Sequence, residues 1–322
     1  MFMNGVADAF LKSMMPGAHW VEILPFLDYL PDWLSPWRRN ARDKFREYDS
    51  YFQKSFLEIK MQVAKGYEQT PSFCANLAED QNIHNMSDQE CAWLSGMLHF
   101  AGHETSTTGM LWLIFVMIAF PEVQRRAQDE LDQVVGRSRL PLFSDLPHLP
   151  YIRAVIKETL RWRPPTPLGV PHADHYNGYF IPQGTVCITN MWAMNHDRET
   201  YGPDVDEFRP ERHLNEKGLL IDEKTEGHYS YGFGSRVCAG RHVANNVLFI
   251  EIVTILWAMK LEPGKDSDGK VFTPDLNAEA ENGLIIRPPP FSLVATPRFP
   301  DADTLIQQAR DEVMNEVLPH VD

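Results

Sequence analysis

The sequence lacks the cysteine patterns, repeats and biased tracts that mark several protein classes. Its four cysteines, Cys74, Cys91, Cys187 and Cys238, lie far apart and form no Cys-x-x-Cys pair. This spacing excludes a zinc knuckle and a dense disulfide scaffold, and it favours reduced thiols in a reducing compartment. The 322 residues contain no internal repeat, and 43% hydrophobic with 23% charged residues is ordinary for a globular protein.

An excess of basic residues and a long apolar run are also absent. The chain has 30 basic and 44 acidic residues, a net charge of −14, which disfavours a nucleic-acid partner because such surfaces are normally basic. The longest run without a charged or strongly polar residue, 109–120, is much shorter than the about 20 residues of a membrane span and predicts a buried helix. The N-terminus carries Asp8 and no clean apolar core, so it does not resemble a signal peptide.

Helical periodicity dominates the first two thirds of the chain and short strands follow. Ser87 and Glu90 form a capping box, and the helical pattern after it runs without proline over 88–120. The Asn177-Gly178 pair predicts a hairpin turn. No linker divides the chain, so we predict one domain over 1–322, mainly α with small β-sheets. Further helices are predicted over 38–65, 121–135, 150–163 and 239–260, and short strands over 284–294.

Residues 16–37 combine several prolines with Trp20, Trp33 and Trp37. This composition predicts an irregular segment whose aromatic side chains pack within a loop. The alternative is contact with a membrane surface, since tryptophan suits an interface that is apolar on one side and wet on the other.

The centre of the predicted helix 88–120 carries small residues, an acid and hydroxyls over residues 101–106. Such residues lower helix stability and are costly to bury. A segment that breaks these rules inside a core element indicates a functional site.

A second unusual segment, residues 231–240, surrounds Cys238 with glycines directly before a predicted helix. Glycine permits tight turns and close approach to a flat ligand, and the helix start favours an anionic sulfur. Arg236 adds a positive charge that could hold a carboxylate. A thiolate held in this way is either a metal ligand or a nucleophile. A nucleophile would need a base, for which His242 is a candidate, but no oxyanion motif accompanies the pair. The third alternative is a buried structural cysteine. The glycines are Gly232, Gly234 and Gly240.

Residues 231–240 resemble the haem-binding loop of the cytochrome P-450 superfamily, Phe-Gly-x-Gly-x-Arg-x-Cys-x-Gly, with Tyr231 in place of phenylalanine. Further segments are similar to motifs of the same family and occur in the family's order. Four motifs in order are highly specific, and the resemblance covers about residues 16–300. The three further motifs are 101–106 (oxygen activation), 158–161 (Glu-x-x-Arg) and 208–213 (the arginine that completes the ion network). Two other phrases, 167–172 and 179–184, look like fungal members.

The resemblance implies a mainly α cytochrome P-450-type fold and haem b with Cys238 as axial thiolate, which pushes electron density onto iron and favours O–O cleavage. Arg236 and His172 would pair with haem propionates, although His172 is alternatively a surface-loop histidine. Glu104 and Thr105 would relay protons to bound oxygen. Alternatively, Thr105 only bonds to a carbonyl one turn back.

Two further groups of residues follow from the resemblance. Glu158, Arg161 and Arg212 would form a buried ion network with a structural role. The substrate contacts would be mostly apolar or small, which suits a hydrophobic substrate, although the same residues could be core. They are Leu98, His99, Ala101, Gly102, Leu168, Val170 and the turn near 281–284.

The function implied is a haem-thiolate monooxygenase that inserts one oxygen atom of O2 into a hydrophobic small molecule, with electrons from NADPH through a flavoprotein reductase. Fungal secondary metabolism is the expected setting. Residues 121–170 hold eight basic against six acidic residues and could dock an acidic reductase; ordinary solvated charge is the alternative. Competing hypotheses are a peroxide-using or isomerising relative, and a non-catalytic or haem-poor fragment.

Members of this family extend further on the N-terminal side, where a membrane anchor holds them on the cytosolic face of the endoplasmic reticulum. The resemblance therefore implies an N-terminally truncated chain that is cytoplasmic or peripheral to a membrane. We expect such a chain to bind haem weakly, because the absent helices would leave apolar surface uncovered.

Overall fold

The structure is a computed structural model of the chain, and it describes most of the sequence. Within the described part, the chain divides into two compact units, Met1–Glu104 and Thr105–Asp322, and the boundary falls inside the longest helix. The described residues are 6, 13, 15, 17–66, 72–80, 85–166, 168–169, 175–176, 178–182, 185, 188–222, 224–265, 268–282 and 285–317.

Helices make up most of the described structure, which confirms the prediction of a mainly α fold. The α-helices are α1 Trp20–Ile23, α2 Pro36–Ala64, α3 Phe73–Glu79, α4 Asp88–Ala119, α5 Pro121–Val134, α6 Pro150–Trp162, α7 Met191–Asn195, α8 Arg198–Tyr201, α9 Arg241–Ala258 and α10 Ala302–Val317. Short 3-10 helices span Pro25–Tyr29, Asp32–Leu34, Phe143–His148, Pro210–His213 and Gly234–Arg236.

The strands are short and pair only in twos, as antiparallel ladders. The hairpin predicted around Asn177-Gly178 is present as β2 and β3, and Gly178 adopts a φ of 84°, a conformation that glycine reaches without strain. The strands are β1 Leu168–Gly169 with β4 Thr189–Asn190, β2 His175–Tyr176 with β3 Tyr179–Phe180, β5 Met259–Pro263 with β8 Leu293–Pro297, and β6 Ala280–Asn282 with β7 Ile285–Arg287.

Local signals set the ends of α4 and α5. The Ser87 backbone N–H donates to the Glu90 carboxylate at 2.7 Å, and the Glu90 N–H donates to the Ser87 hydroxyl at 3.2 Å, so the capping box is formed. Pro121 begins α5, because proline suits the first turn of a helix and stops the preceding one. α5 ends before Gly136, whose φ is 71°.

No single helix of the described residues is both long and apolar enough to cross a membrane. Only α4 and α5 together reach the required length and composition, and they meet at a bend of 104°.

The first unit has a small core in which α2, α3 and α4 meet. Phe52 and Phe56 of α2 pack with Leu77 and Cys91, and all four side chains are buried. Asp49 of α2 accepts hydrogen bonds from the Trp93 indole at 2.7 Å and from Gln89 at 2.8 Å. The aromatic side chains of residues 20–33 do not join this core.

The expectation that residues 16–37 form an aromatic-packed loop is therefore wrong for most of the segment. Trp20, Tyr29 and Trp33 are 72%, 91% and 74% exposed. Polar contacts hold the backbone instead: the Arg38 guanidinium donates to the Leu30 carbonyl at 2.9 Å and pairs with Asp28 at 3.0 Å. Arg38 of α2 thus holds the turns of residues 28–30 in place, and the aromatic rings of the segment remain exposed.

The second unit is built on the C-terminal half of α4. Its buried residues pack against α6 and α9, with Val116, Ile152 and Ile252 among the best buried. Trp112 of α4 also donates its indole N–H to the Ile286 carbonyl in β7 at 3.0 Å. α4, α6 and α9 therefore form the scaffold that carries the loops of this unit.

The chain after β8 adds a helix, α10, that the periodicity analysis did not predict. Leu305 and Ile306 of α10 pack against the core of the second unit. Arg298, just before it, donates to the Leu256 and Trp257 carbonyls at 3.1 and 3.2 Å. These carbonyls end α9 and have no partner within that helix, so Arg298 acts as its C-terminal cap.

Gly96 in α4 gives a direct test of packing in the first unit. A Cβ atom at this position would lie 2.6 Å from the Phe52 ring, whereas a Cβ at Gly102 of the same helix would meet no atom within 4 Å. We expect Gly96→Ala to lower the free energy of unfolding by about 1–3 kcal/mol through overpacking. Gly102→Ala should leave it unchanged or raise it by up to about 1 kcal/mol through helix propensity. Urea titration of both variants decides this; equal stability of the two would contradict the close α2–α4 contact.

Candidate active site

The loop before α9 holds Cys238 in a defined backbone conformation. Gly232 and Gly234 have φ values of 69° and 66°, which a residue with a Cβ atom adopts only under strain. The Cys238 N–H donates to the Tyr231 carbonyl at 2.8 Å, so the two ends of the loop are joined directly. The glycines are therefore required here by the turn itself.

The sulfur of Cys238 lies just before the first turn of α9. The Arg241 backbone N–H and its guanidinium both donate to the Cys238 carbonyl, at 3.4 and 3.2 Å. Cys238 is half-buried and forms no disulfide with another described cysteine, and a Cβ on Gly240 would lie 4.0 Å from its Sγ. The helix start favours a negative charge, so the position suits a thiolate. Arg236 is exposed and forms no ion pair within the described part of the chain.

A buried ion network lies in the second unit, at the C-terminal end of α6. Arg161 donates to both oxygens of Glu158, at 2.8 and 2.9 Å, and Arg212 donates to one of them at 3.1 Å. Glu158 and Arg161 are fully buried. The structure therefore brings together the three residues expected to form the network.

His213 is a fourth member that the sequence reasoning missed. Its Nε2 lies 3.0 Å from Glu158 Oε2. Burial alone would raise the pKa of Glu158, but hydrogen bonds from Arg161 and His213 outweigh it and lower that pKa to about 2. Burial lowers the pKa of His213 itself, so the ring is neutral and donates an Nε2 proton to the carboxylate.

Asn195 connects the ion network to the cysteine loop, and it was also missed. Its carbonyl accepts from Arg161 at 2.9 Å. Its side-chain oxygen accepts from the Tyr229 N–H at 2.7 Å, and its amide donates to the Ser230 hydroxyl at 3.0 Å. Asn195 is fully buried, so this chain of hydrogen bonds fixes the segment that enters the loop at Tyr231.

His228 lies in the same entering segment. Its Nδ1 accepts from the Ser230 N–H at 3.1 Å, and its ring centroid lies 5.2 Å from that of Tyr231. Its Nε2 is buried and has no hydrogen-bond partner among the described residues. Burial lowers the pKa of His228 to about 3, so the ring is neutral in the folded state.

The predicted oxygen-activation residues lie in the middle of α4. Glu104 is buried and Thr105 is half-buried. Of the predicted substrate contacts, Leu98, Ala101 and Gly102 are exposed on the same helix. Leu168 pairs through its backbone with Asn190 in the β1–β4 ladder. Further predicted residues lie outside the described residues: the propionate partner His172, the substrate contact Val170, and residues 283–284 of the turn near 281–284.

Comparison with known proteins agrees with this geometry. A model of the cytochrome P450 family matches residues 6–294. A cytochrome P450 monooxygenase of Armillaria gallica is 45% identical, with 96% of this chain and 61% of the relative aligned. One of Postia placenta is 42% identical, over 91% of this chain and 56% of its own length. The solved structure of a zebrafish cytochrome P450 with abiraterone covers 80% of this chain and 60% of its own, at a TM-score of 0.65 and 28% identity.

These matches place the helices and the small sheets in one known fold class. The chain belongs to the cytochrome P450 family, and it spans less than two thirds of the length of the relatives it matches.

The ion network predicts a large difference between two arginine deletions. Arg161→Ala would leave the Glu158 charge buried with too few partners, so we expect a loss of about 3–5 kcal/mol in unfolding free energy. Arg125→Ala removes an exposed partner of Asp129 at 3.6 Å in α5 and should cost less than about 1 kcal/mol. Urea unfolding followed by circular dichroism measures both. If Arg161→Ala lowered the unfolding free energy by as little as Arg125→Ala, the buried network would contribute little to stability.

The neutral His228 predicts weaker folding in mild acid. Below its unfolded pKa of about 6.5, only the unfolded state takes up a proton until the pH nears 3. This histidine therefore lowers the unfolding free energy by up to about 1.4 kcal/mol for each pH unit in that range. His228→Asn keeps an acceptor for the Ser230 N–H but cannot titrate, so its stability should vary less between pH 6.5 and 4.5. The exposed His148→Asn serves as control and should follow the unmodified chain; an equal slope in all three would contradict the prediction.

Proposed function

We propose that this chain carries the haem-thiolate site of a monooxygenase that inserts one oxygen atom from O2 into a hydrophobic small molecule. The observation that carries the proposal is the loop geometry: a half-buried, unpaired cysteine just before α9, between glycines that a turn requires. The relatives named above are cytochrome P450 monooxygenases, which supports the same reaction class.

The residues of the loop suit haem b as the cofactor. The sulfur of Cys238 is the soft ligand that iron accepts in such sites, and the space at Gly234 is open, since a Cβ there would meet no atom within 4 Å. Arg236 has no ion-pair partner among the described residues, so its guanidinium is available for a propionate; His172 would be a second partner. Haem would supply the iron at which O2 is activated.

The chain's own residues would then control protons and position. Glu104 and Thr105 adjoin one another in α4, where a carboxyl group and a hydroxyl can hold and pass on a proton. Asn195, through Tyr229 and Ser230, would keep the entrance of the cysteine loop in place. Leu98, Ala101 and Gly102 would offer the apolar or small surface that a hydrophobic substrate needs.

An NADPH-dependent flavoprotein reductase would be the electron donor, as the family resemblance implies. The basic residues of 121–170 give this partner only limited support. Four of the exposed or half-buried arginines are each paired with a carboxylate, so they offer less free positive charge than the sequence count suggests. The pairs are Arg125–Asp129 (3.6 Å), Arg126–Glu211 (2.5 Å), Arg137–Asp132 (2.7 Å) and Arg139–Asp145 (2.7 Å).

Peripheral contact with a membrane has firmer support. Trp20, Phe26 and Trp33 are exposed within a short segment, and tryptophan and other amphipathic rings favour the membrane interface. The nearby Arg38 is neutralised by Asp28 and Asp32 at 3.0 and 3.2 Å. The contact would therefore depend on apolar burial more than on attraction to anionic lipid.

A fungal secondary metabolite is the proposed substrate class, supported by the fungal source of the relatives in Armillaria gallica and Postia placenta. One competing function is a haem-poor fragment. A peroxide-using or isomerising relative has less support, because such enzymes often lack the acid–threonine pair that stands here as Glu104 and Thr105.

A reduced carbon monoxide difference spectrum tests the proposal. We expect the purified chain, supplied with haem, to give a thiolate-type spectrum, and Cys238→Ser to lose it because a serine oxygen cannot replace the thiolate. Cys74→Ser removes another half-buried thiol and should change nothing. A thiolate-type spectrum in Cys238→Ser contradicts the assignment, and haem-free protein throughout favours the fragment. NADPH-dependent turnover with a reductase then separates the monooxygenase from a peroxide-using relative.

A further inference from the structure

Tyr231 begins the cysteine loop and makes contacts that a phenylalanine could not make. Its ring packs against the core of the second unit. Its hydroxyl lies 2.7 Å from Asn245 Oδ1, and Asn245 Nδ2 lies 2.9 Å from Glu226 Oε2. We call the three side chains Tyr231, Asn245 and Glu226 the loop latch.

The chemistry of the groups fixes the direction of these hydrogen bonds. A carboxylate only accepts, so Asn245 must donate its amide to Glu226 and present its oxygen to Tyr231. The phenol must then be the donor. Burial and the nearby Glu226 charge raise the pKa of Tyr231, so the hydroxyl keeps the proton that this arrangement needs.

The latch connects the two arms of the loop on either side of Cys238. The Tyr231 carbonyl accepts from the Cys238 N–H at 2.8 Å, while its hydroxyl holds Asn245 in the second turn of α9. Glu226 belongs to the entering segment, five residues before Tyr231. Tyr231 therefore contacts the cysteine through its backbone carbonyl and the following helix through its side-chain hydroxyl.

We propose that Tyr231, acting through Asn245 and Glu226, is a positioning residue that limits opening of the cysteine loop and so holds Cys238 in place for its ligand. The part that concerns haem rests on the proposed function; the part that concerns loop opening does not. Because the family motif has phenylalanine at this position, the latch is an addition to the motif in this chain.

The first experiment measures loop opening in the chain without haem. Iodoacetamide labelling is followed by mass spectrometry of the Cys238 peptide, with Cys74 as an internal reference. Tyr231→Phe keeps the ring and removes one hydrogen bond, so we expect Cys238 labelling about five-fold faster, which corresponds to about 1 kcal/mol. Glu226→Gln keeps an acceptor for Asn245 but no longer fixes the direction of the hydrogen bonds, so we expect Cys238 labelling at a rate between those of the unmodified chain and Tyr231→Phe.

Tyr151→Phe is the matched control, because it removes a phenol hydroxyl from a ring of α6 that stacks under Arg126 of α5. It should label at the unmodified rate. Asn245→Ala should accelerate labelling as Tyr231→Phe does, and the double variant should add little to either, since both changes break one chain of hydrogen bonds. Additive effects, or an unchanged rate in Tyr231→Phe, overturn the latch.

The second experiment uses the haem-loaded chain. Conversion of the thiolate-type carbon monoxide spectrum to the non-thiolate form in dilute guanidinium should be about five-fold faster in Tyr231→Phe and unchanged in Tyr151→Phe. Equal conversion rates in the two variants overturn the role of the latch in holding the ligand. If the unmodified chain gives no thiolate spectrum, the proposed function fails, and faster labelling of Tyr231→Phe still supports the latch.

Discussion

The buried carboxylate of Glu158 is the interaction on which the interior of the second unit depends. It pairs with both Arg161 and Arg212 and accepts from His213, and Asp204 gives Arg212 a second carboxylate partner at 3.2 Å, so no charge in this group is left without a partner. Desolvating these ions is costly, and good geometry is what offsets that cost. Arg161 then reaches the Asn195 carbonyl, and through Asn195 the same network fixes the segment before the cysteine.

The sequence predicts those parts of the fold that local chemistry determines. The start of α4 follows from a capping box, the change from α4 to α5 from Pro121, and the end of α5 from Gly136. α9 is shorter than predicted at both ends, because the loop occupies the residues before Arg241 and β5 begins at Met259. α10 and the exposed rings of residues 20–33 depend on packing between distant segments, which periodicity does not report.

The residues of the candidate site likewise fall into those that the local sequence indicates and those that it does not. Cys238 and its glycines, and the charged residues of the ion network, stand out because each is unusual in a buried or helical setting. Asn195 and His213 do not, since their importance lies in hydrogen bonds to residues 34 and 55 positions away in sequence. The one available signal is the position of a polar residue directly after the apolar run 191–194, which could have indicated Asn195 as a buried hydrogen-bonding group.

The hydrogen bonds around the cysteine loop have a consequence for how this protein can diverge. Many of them end on backbone atoms: Arg161 on the Asn195 carbonyl, Asn195 on the Tyr229 N–H, and Ser230 on the Leu160 carbonyl at 2.6 Å. A backbone group is the same whatever side chain it carries. Mutations at a position that contributes only a backbone group, such as Tyr229, therefore leave these hydrogen bonds intact, and surrounding side chains can change toward new ligands while the sulfur stays where it is.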